Sequence, residues 1–175
     1  ITDFIKDGEN LIAFQVYRWS DGSYLECQDM FRFSGIERDV FLFTTNKLNI
    51  RDTKIEATLD NNYTTGLLSV NTEIVNYKWE KGYQSKKDSF NVEVLLQDAA
   101  GNIVYNDKTK DYKEALGKYK THVEFKTTIT NVKSWNAETP YLYTLYITLK
   151  NKNGDILEVV PQRIGFKKIE IKGAD

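Results

Sequence analysis

The sequence predicts an all-β chain, and three observations carry that reading. Eleven tyrosines and nine phenylalanines stand against one methionine, and flat rings suit the pleated faces of sheets. Apolar residues recur at every second position over several stretches, which in a strand places them on one face. No stretch shows the three- and four-residue spacing of a long amphipathic helix.

Taken in order, "KDGENLIAFQVYRW" reads as a turn at Asp7-Gly8 followed by a strand over residues 11–17. The next stretch, "RWSDGSYLECQDMFRFSGIERDV", is dense in aromatics, acids and glycines, as binding loops and interdomain loops are. "VFLFTT", from Val40, again has strand composition. Two or three strands are too few to close a sheet or a sandwich. Residues 1–45 are therefore expected to be the end of a larger β domain. The first residue is Ile1, and the chain reads as an excised fragment, with any signal peptide outside it. Cytoplasm and periplasm both stay open.

From Leu48 onward the pattern is regular. Tyr119, Thr121, Val123, Phe125, Thr127 and Ile129 share one parity, while Lys120, His122, Glu124, Lys126 and Thr128 share the other. Phe90, Val92, Val94 and Leu96 repeat the alternation, as do Tyr141, Tyr143, Leu145, Ile147 and Leu149. "NNYTTG", "AGN" and "NKNGD" supply turns between strands. About seven such strands fit an immunoglobulin-like antiparallel β-sandwich. The paired cysteines and central tryptophan of antibody domains are absent, so the likeness is one of architecture. "DYKEALGK" has room for one helical turn.

Composition narrows the function classes. The 24 basic and 25 acidic residues are interspersed and sum to a net charge of −1. No basic stripe is available for a phosphate backbone, which argues against nucleic acid. No apolar run approaches the ~20 residues that span a bilayer, so no membrane partner is expected. Cys27 is the one cysteine, which leaves no internal disulfide and no cysteine-based metal site. His122 is the one histidine and sits on the wet parity of its strand, where a solvated role is the default. Zinc sites and Ser-His or Cys-His triads are thereby excluded within the chain. No glycine-rich phosphate loop is present.

The tryptophans divide by context. Trp135 precedes a proline-ended loop and is expected to pack over one end of the sandwich, and Trp79 closes a strand. Trp19 stands immediately before Ser20-Asp21-Gly22. Sugar sites join an aromatic plate to carboxylates that accept hydroxyl hydrogen bonds, yet a buried tryptophan at a strand end fits equally well. Asp21 has two readings also. It can bond its own backbone in an Asx turn, or reach outward to a hard cation or a hydroxyl.

These residues resemble a known family. "RWSDGSYLE", Gln28-Asp29, "SGI" and Arg38-Asp39-Val40 are similar to the segment that ends the N-terminal sugar-binding jelly roll of large lac-type β-galactosidases, in glycoside hydrolase family two. "SWNAETPYLYTLYITL" resembles the family's W-x-x-E-x-P-x-L-Y strand pair, and "IGFKKIEI" its exit toward a catalytic barrel. The resemblance spans essentially the whole chain, in order. Cys27 stands where an acid is usual, Phe31 where tryptophan is usual, and Glu37 where an aromatic is common.

The resemblance implies residues 1–45 as the truncated end of a jelly roll, residues 46–172 as the immunoglobulin-like sandwich, and residues 173–175 as the start of a linker to a barrel. It implies a homo-oligomeric parent enzyme that hydrolyses terminal β-D-galactosides such as lactose with retention. Retention requires an acid/base carboxyl and a nucleophilic carboxylate roughly 5 Å apart. In the family both are barrel glutamates, so no catalytic residue is expected in this chain. Asp21 carries over as a ligand of sodium and of the galactosyl group, with magnesium confined to the barrel. Arg18, Trp19, Glu26, Gln28, Asp29 and Arg38 are expected to support the loop. Two alternatives stand beside this reading: a free-standing carbohydrate-binding or adhesion module, and a family-two hydrolase of other sugar specificity.

Overall fold

A computed structural model describes residues 1–25, 33–77, 89–110, 113–114, 120–171 and 173. The chain forms two compact units, Ile1–Phe43 and Thr44–Asp175. Trp79 and Tyr119 lie outside the described residues.

The second unit contains strands β1 (Leu48–Leu59), β2 (Gly66–Asn76), β3 (Ser89–Gln97) and β4 (Ile103–Lys108), then the two-residue β5 (Lys113–Glu114). β6 (Lys120–Ile129), β7 (Tyr143–Asn151) and β8 (Ile156–Ile164) follow. One sheet has the order β1-β2-β6, the other β4-β3-β7-β8 with β5 against the start of β3. All six pairings are antiparallel. The helical turn considered for residues 111–118 gives way at Lys113–Glu114, which pair with Phe90 and Ser89. A ladder partner decides the conformation there.

Alternation places the apolar residues between the sheets. Val70 and Ile74 on β2, and Val123 and Phe125 on β6, face Phe90, Val92, Val94 and Leu96 on β3 and Leu145, Ile147 and Leu149 on β7. Each such side chain contributes about 1.5–3 kcal/mol by leaving water. The wet parity of β6, including His122, is exposed.

At one end of the sandwich, two distant stretches meet. Trp135 N–H donates to the Phe166 carbonyl at 2.9 Å, and Ser134 and Phe166 form a parallel bridge. Trp135 covers Gly165, where a Cβ would lie 2.8 Å from the Trp135 Cβ. Phe166 is fully buried and lies flush on Gly66, where a Cβ would come within 2.8 Å of its ring. Trp135 thus packs over an end of the sandwich, as its position in the sequence predicts.

The first unit is different. Gly8 has φ +90°, and Asn10 closes its turn by accepting from Lys6 N–H at 3.0 Å and donating to the Lys6 carbonyl at 2.8 Å. Residues 11–17 and 40–45, expected as strands, carry no ladder. An extended segment becomes a strand only when its N–H and C=O groups meet those of a neighbour. None of the described residues of this unit provides that neighbour. Its regular structure is a 3-10 turn at Thr2–Phe4 and helix α1, Asp21–Leu25.

Candidate functional site

Helix α1 lies near the start of the stretch that the sequence singles out. Ser20 precedes the helix and Ser23 sits three residues on, the spacing of a reciprocal helix cap. Ser20 N–H donates to Ser23 Oγ at 3.2 Å, and Ser23 N–H donates to the Ser20 carbonyl at 3.0 Å. The two hydroxyls lie 3.4 Å apart. Serines, rather than the aspartate, therefore satisfy the backbone where the chain turns. This support is legible as Ser-x-x-Ser in "WSDGS", although Ser23 is not among the residues singled out from sequence.

Asp21 opens the helix with its side chain exposed. Its carboxylate makes no hydrogen bond or ion pair with any described residue, so the Asx-turn reading does not hold. Beside it, the Arg18 guanidinium lies over the Trp19 ring, 5.4 Å from its centroid. Tyr24 approaches the same ring with centroids 6.3 Å apart and planes 32° apart. Trp19 keeps 51% of its surface exposed, which excludes a buried core role within the described residues. A half-open indole, a cation and a free carboxylate thus share one short segment.

Arg38 is exposed, and no hydrogen bond or ion pair among the described residues joins it to Asp21. Glu26, Gln28 and Asp29 lie outside the described residues, as do Cys27 and Phe31.

The sandwich presents a different kind of chemistry. On its outer face Glu73 accepts Lys120 at 3.0 Å and Arg51 at 3.4 Å, with His122 Nε2 at 3.8 Å. This is a cross-strand charge ladder on a wet face, where ion pairs contribute little. Among the described residues no three His, Cys, Asp or Glu side chains cluster as metal ligands. No described helix is long and apolar enough to cross a membrane.

Fold and loop together define an antiparallel β-sandwich protein whose exposed polar–aromatic chemistry precedes the sandwich in the chain. The family model for glycosyl hydrolases family 2 matches residues 48–167, and that for the family's sugar binding domain matches residues 1–46. The chain belongs to glycosyl hydrolases family 2. It is 41% identical over 172 residues to a β-galactosidase of Priestia megaterium, covering 98% of this chain and 16% of that protein. A β-galactosidase of Halalkalibacterium halodurans is 38% identical over 174 residues, covering 98% of this chain and 15% of that one. The chain thus spans about a sixth of the length of these relatives. Among solved structures, a family 2 member from Bacteroides cellulosilyticus shares the fold with a TM-score of 0.58 at 17% identity, over 69% of this chain and 16% of that one. A Parabacteroides merdae β-glucuronidase does so with a TM-score of 0.53 at 22% identity, over 69% and 13%.

Proposed function

We propose that this chain is a non-catalytic portion of a β-galactosidase that hydrolyses terminal β-D-galactosides with retention. In this reading the acid/base and nucleophilic carboxyls reside in a barrel outside the chain. The sandwich scaffolds that barrel, and the loop around Asp21 completes its sugar site. The β-galactosidase relatives, similar along nearly the whole chain, support the substrate class. The observation that carries the loop's role is the Asp21 carboxylate, exposed and unbonded while Ser20 and Ser23 hold the turn.

An alkali cation takes several hard oxygen ligands. Asp21 fits as one of them, and the remaining oxygens would come from beyond the described residues, which hold no acidic cluster. When bound, sodium would supply fixed positive charge beside a sugar hydroxyl. Asp21 orients that charge, and Trp19 offers a plate for the apolar face of the sugar ring. Arg18 stacks on Trp19 and stiffens the plate. Glu26, Gln28, Asp29 and Arg38 are assigned to loop support. Magnesium has no ligand assigned in this chain.

The test uses the full-length enzyme and a nitrophenyl galactoside. Asp21→Asn keeps the shape and removes the charge. Activity is expected to fall by roughly a hundredfold or more, the range for a lost electrostatic contact at a reacting sugar, with sodium required at higher concentration. Stability is expected to change by less than ~1 kcal/mol, as for surface turns. Asp29→Asn is the control and should lower stability first. Unchanged activity and sodium response in Asp21→Asn, with both lost in Asp29→Asn, would sink the assignment. The 175-residue chain alone should give only background hydrolysis.

A further inference from the structure

An antiparallel sheet ends on strands whose outer N–H and C=O groups have no ladder partner, and such edges invite a strand from another chain. Among the described strands, β1 and β6 end one sheet and β4 and β8 end the other; β1 and β4 each carry an aspartate beside an outward N–H. The direction of their backbone groups follows from the hydrogen bonds nearby. The Ala57 carbonyl accepts from Lys167 N–H at 3.4 Å, so Ala57 faces away from β2. Backbone groups alternate sides along a strand, so Thr53, of the same parity on the same regular run, also faces outward. Its N–H donates to Asp52 Oδ1 at 2.8 Å.

The same device recurs on the other sheet. Thr109 N–H donates inward to the Val92 carbonyl at 2.9 Å, so the preceding Lys108 faces outward. Its N–H donates to Asp107 Oδ1 at 2.8 Å. The other oxygen of Asp107 accepts from Tyr105 Oη at 3.0 Å. Burial, aided by this carboxylate, pushes the Tyr105 phenol up to about 12, so it remains a donor that steadies Asp107. Asp107 itself, and Thr53 next to Asp52, each line a groove on the sandwich. The groove beside Asp107 and His122 measures about 430 Å³, and that between Thr53 and Gln162 about 420 Å³.

We propose that Asp52 and Asp107 are edge guards. Each carboxylate occupies, within its own strand, the backbone N–H that a strand of a second copy would take. Pairing of the sandwich with a second copy is thereby disfavoured along β1 and along β4.

The test is sedimentation velocity of the 175-residue chain over a concentration series, with hydrogen exchange to locate any new contact. Asp52→Val and Asp107→Val remove the acceptor and should each self-associate at about tenfold lower concentration than the parent chain, a tenfold shift being 1.4 kcal/mol. New amide protection should fall on β1 or β4 respectively. Asp52→Asn and Asp107→Asn keep an acceptor oxygen and should behave as the parent does. Glu138→Val, at an exposed turn, controls for lost charge and added apolar surface and should also match the parent. Asp52→Ala and Asp107→Ala, which add no bulk, should associate as the valine variants do and keep the test open if valine disturbs folding. Association unchanged in the alanine variants, or equal in the asparagine or Glu138→Val chains, overturns the proposal.

Discussion

The two units treat the same residue type in opposite ways. Phe41 and Phe43 in the first are 74% and 79% exposed, whereas Phe90 and Phe166 in the second are fully buried. Both pairs sit in β-branched and aromatic company in the sequence. What differs is the presence of a ladder and a facing sheet. Phe90 stands on a strand paired on both sides, by β5 and β7, and it meets the opposite sheet across the core. Phe41 meets the Phe43 ring, with centroids 6.3 Å apart, and stays exposed. Apolar composition supplies the capacity for burial, and long-range pairing decides whether it is realised.

Four measurements break or sharpen that contrast. The largest effect is expected in hydrogen exchange, where global stability sets the protection of core strands and local opening that of unpaired backbone. Amides of β2, β3 and β7 should exchange roughly a thousandfold or more slowly than those of residues 11–17 and 40–43, given typical domain stabilities of about 5–15 kcal/mol. Equal protection in the two units would mean that the first has a ladder of its own.

Truncation comes next. Phe90→Ala should cost about 3–5 kcal/mol through lost transfer energy and a cavity, read as a lower midpoint in denaturant. Phe41→Ala should stay within about 0.5 kcal/mol. A smaller effect is expected of Gly165→Ala, whose new methyl group meets Trp135 at 2.8 Å. Overpacking of that kind costs about 1–3 kcal/mol, and near-ultraviolet circular dichroism should report a disturbed indole. A Gly165→Ala chain as stable as the parent would show that Trp135 is free to shift.

The smallest effect concerns acid. The Asn102 side chain, with backbone N–H groups of Asn102 and Ala100, holds the Asp98 carboxyl below its ordinary value of 3.8. A carboxylate depressed in the folded state adds stability that is present above 3.8 and lost as the pH falls through the lower folded value. Asp98→Asn should therefore flatten the acid limb of the stability curve of the sandwich. An unchanged limb would assign acid sensitivity elsewhere, for instance to Asp60, whose burial is outweighed by the backbone N–H groups of Thr65 and Thr64.

Much of the sandwich is legible in the sequence because period two is a local signal. β3, β6 and β7 follow the alternation of Phe90 to Leu96, Val123 to Ile129 and Tyr143 to Leu149. The end of β8 at Ile164 is not, since Gly165 must pass beneath a tryptophan thirty residues earlier in the chain, as Trp135 to Gly165 measures. At the loop, the type of chemistry is readable from Trp19 and Asp21, but the bracing by Ser23 depends on a helical turn too short to show a period. Asp52 and Asp107 read as ordinary wet-face acids, because only strand order reveals which N–H groups lie at an edge. Residues 11–17 mislead for the converse reason: their composition is that of a strand, and the partner is a property of another segment.

The exit from β8 has a mechanical consequence. Lys167 N–H bonds to Ala57 on the opposite sheet, and Trp135 N–H bonds to the Phe166 carbonyl. Beyond them Lys168 reaches Asn61 at 2.8 Å, and Tyr63 donates to Glu170. A pull on residue 171 is therefore met by fasteners on β1, on the β1–β2 turn and on the segment before β7. These must give way together before tension reaches the β7–β8 ladder. Peeling a strand from its end breaks one hydrogen bond at a time, whereas this arrangement loads several in shear. The sandwich should transmit force from its last strand as a rigid strut, with its weakest direction lying elsewhere.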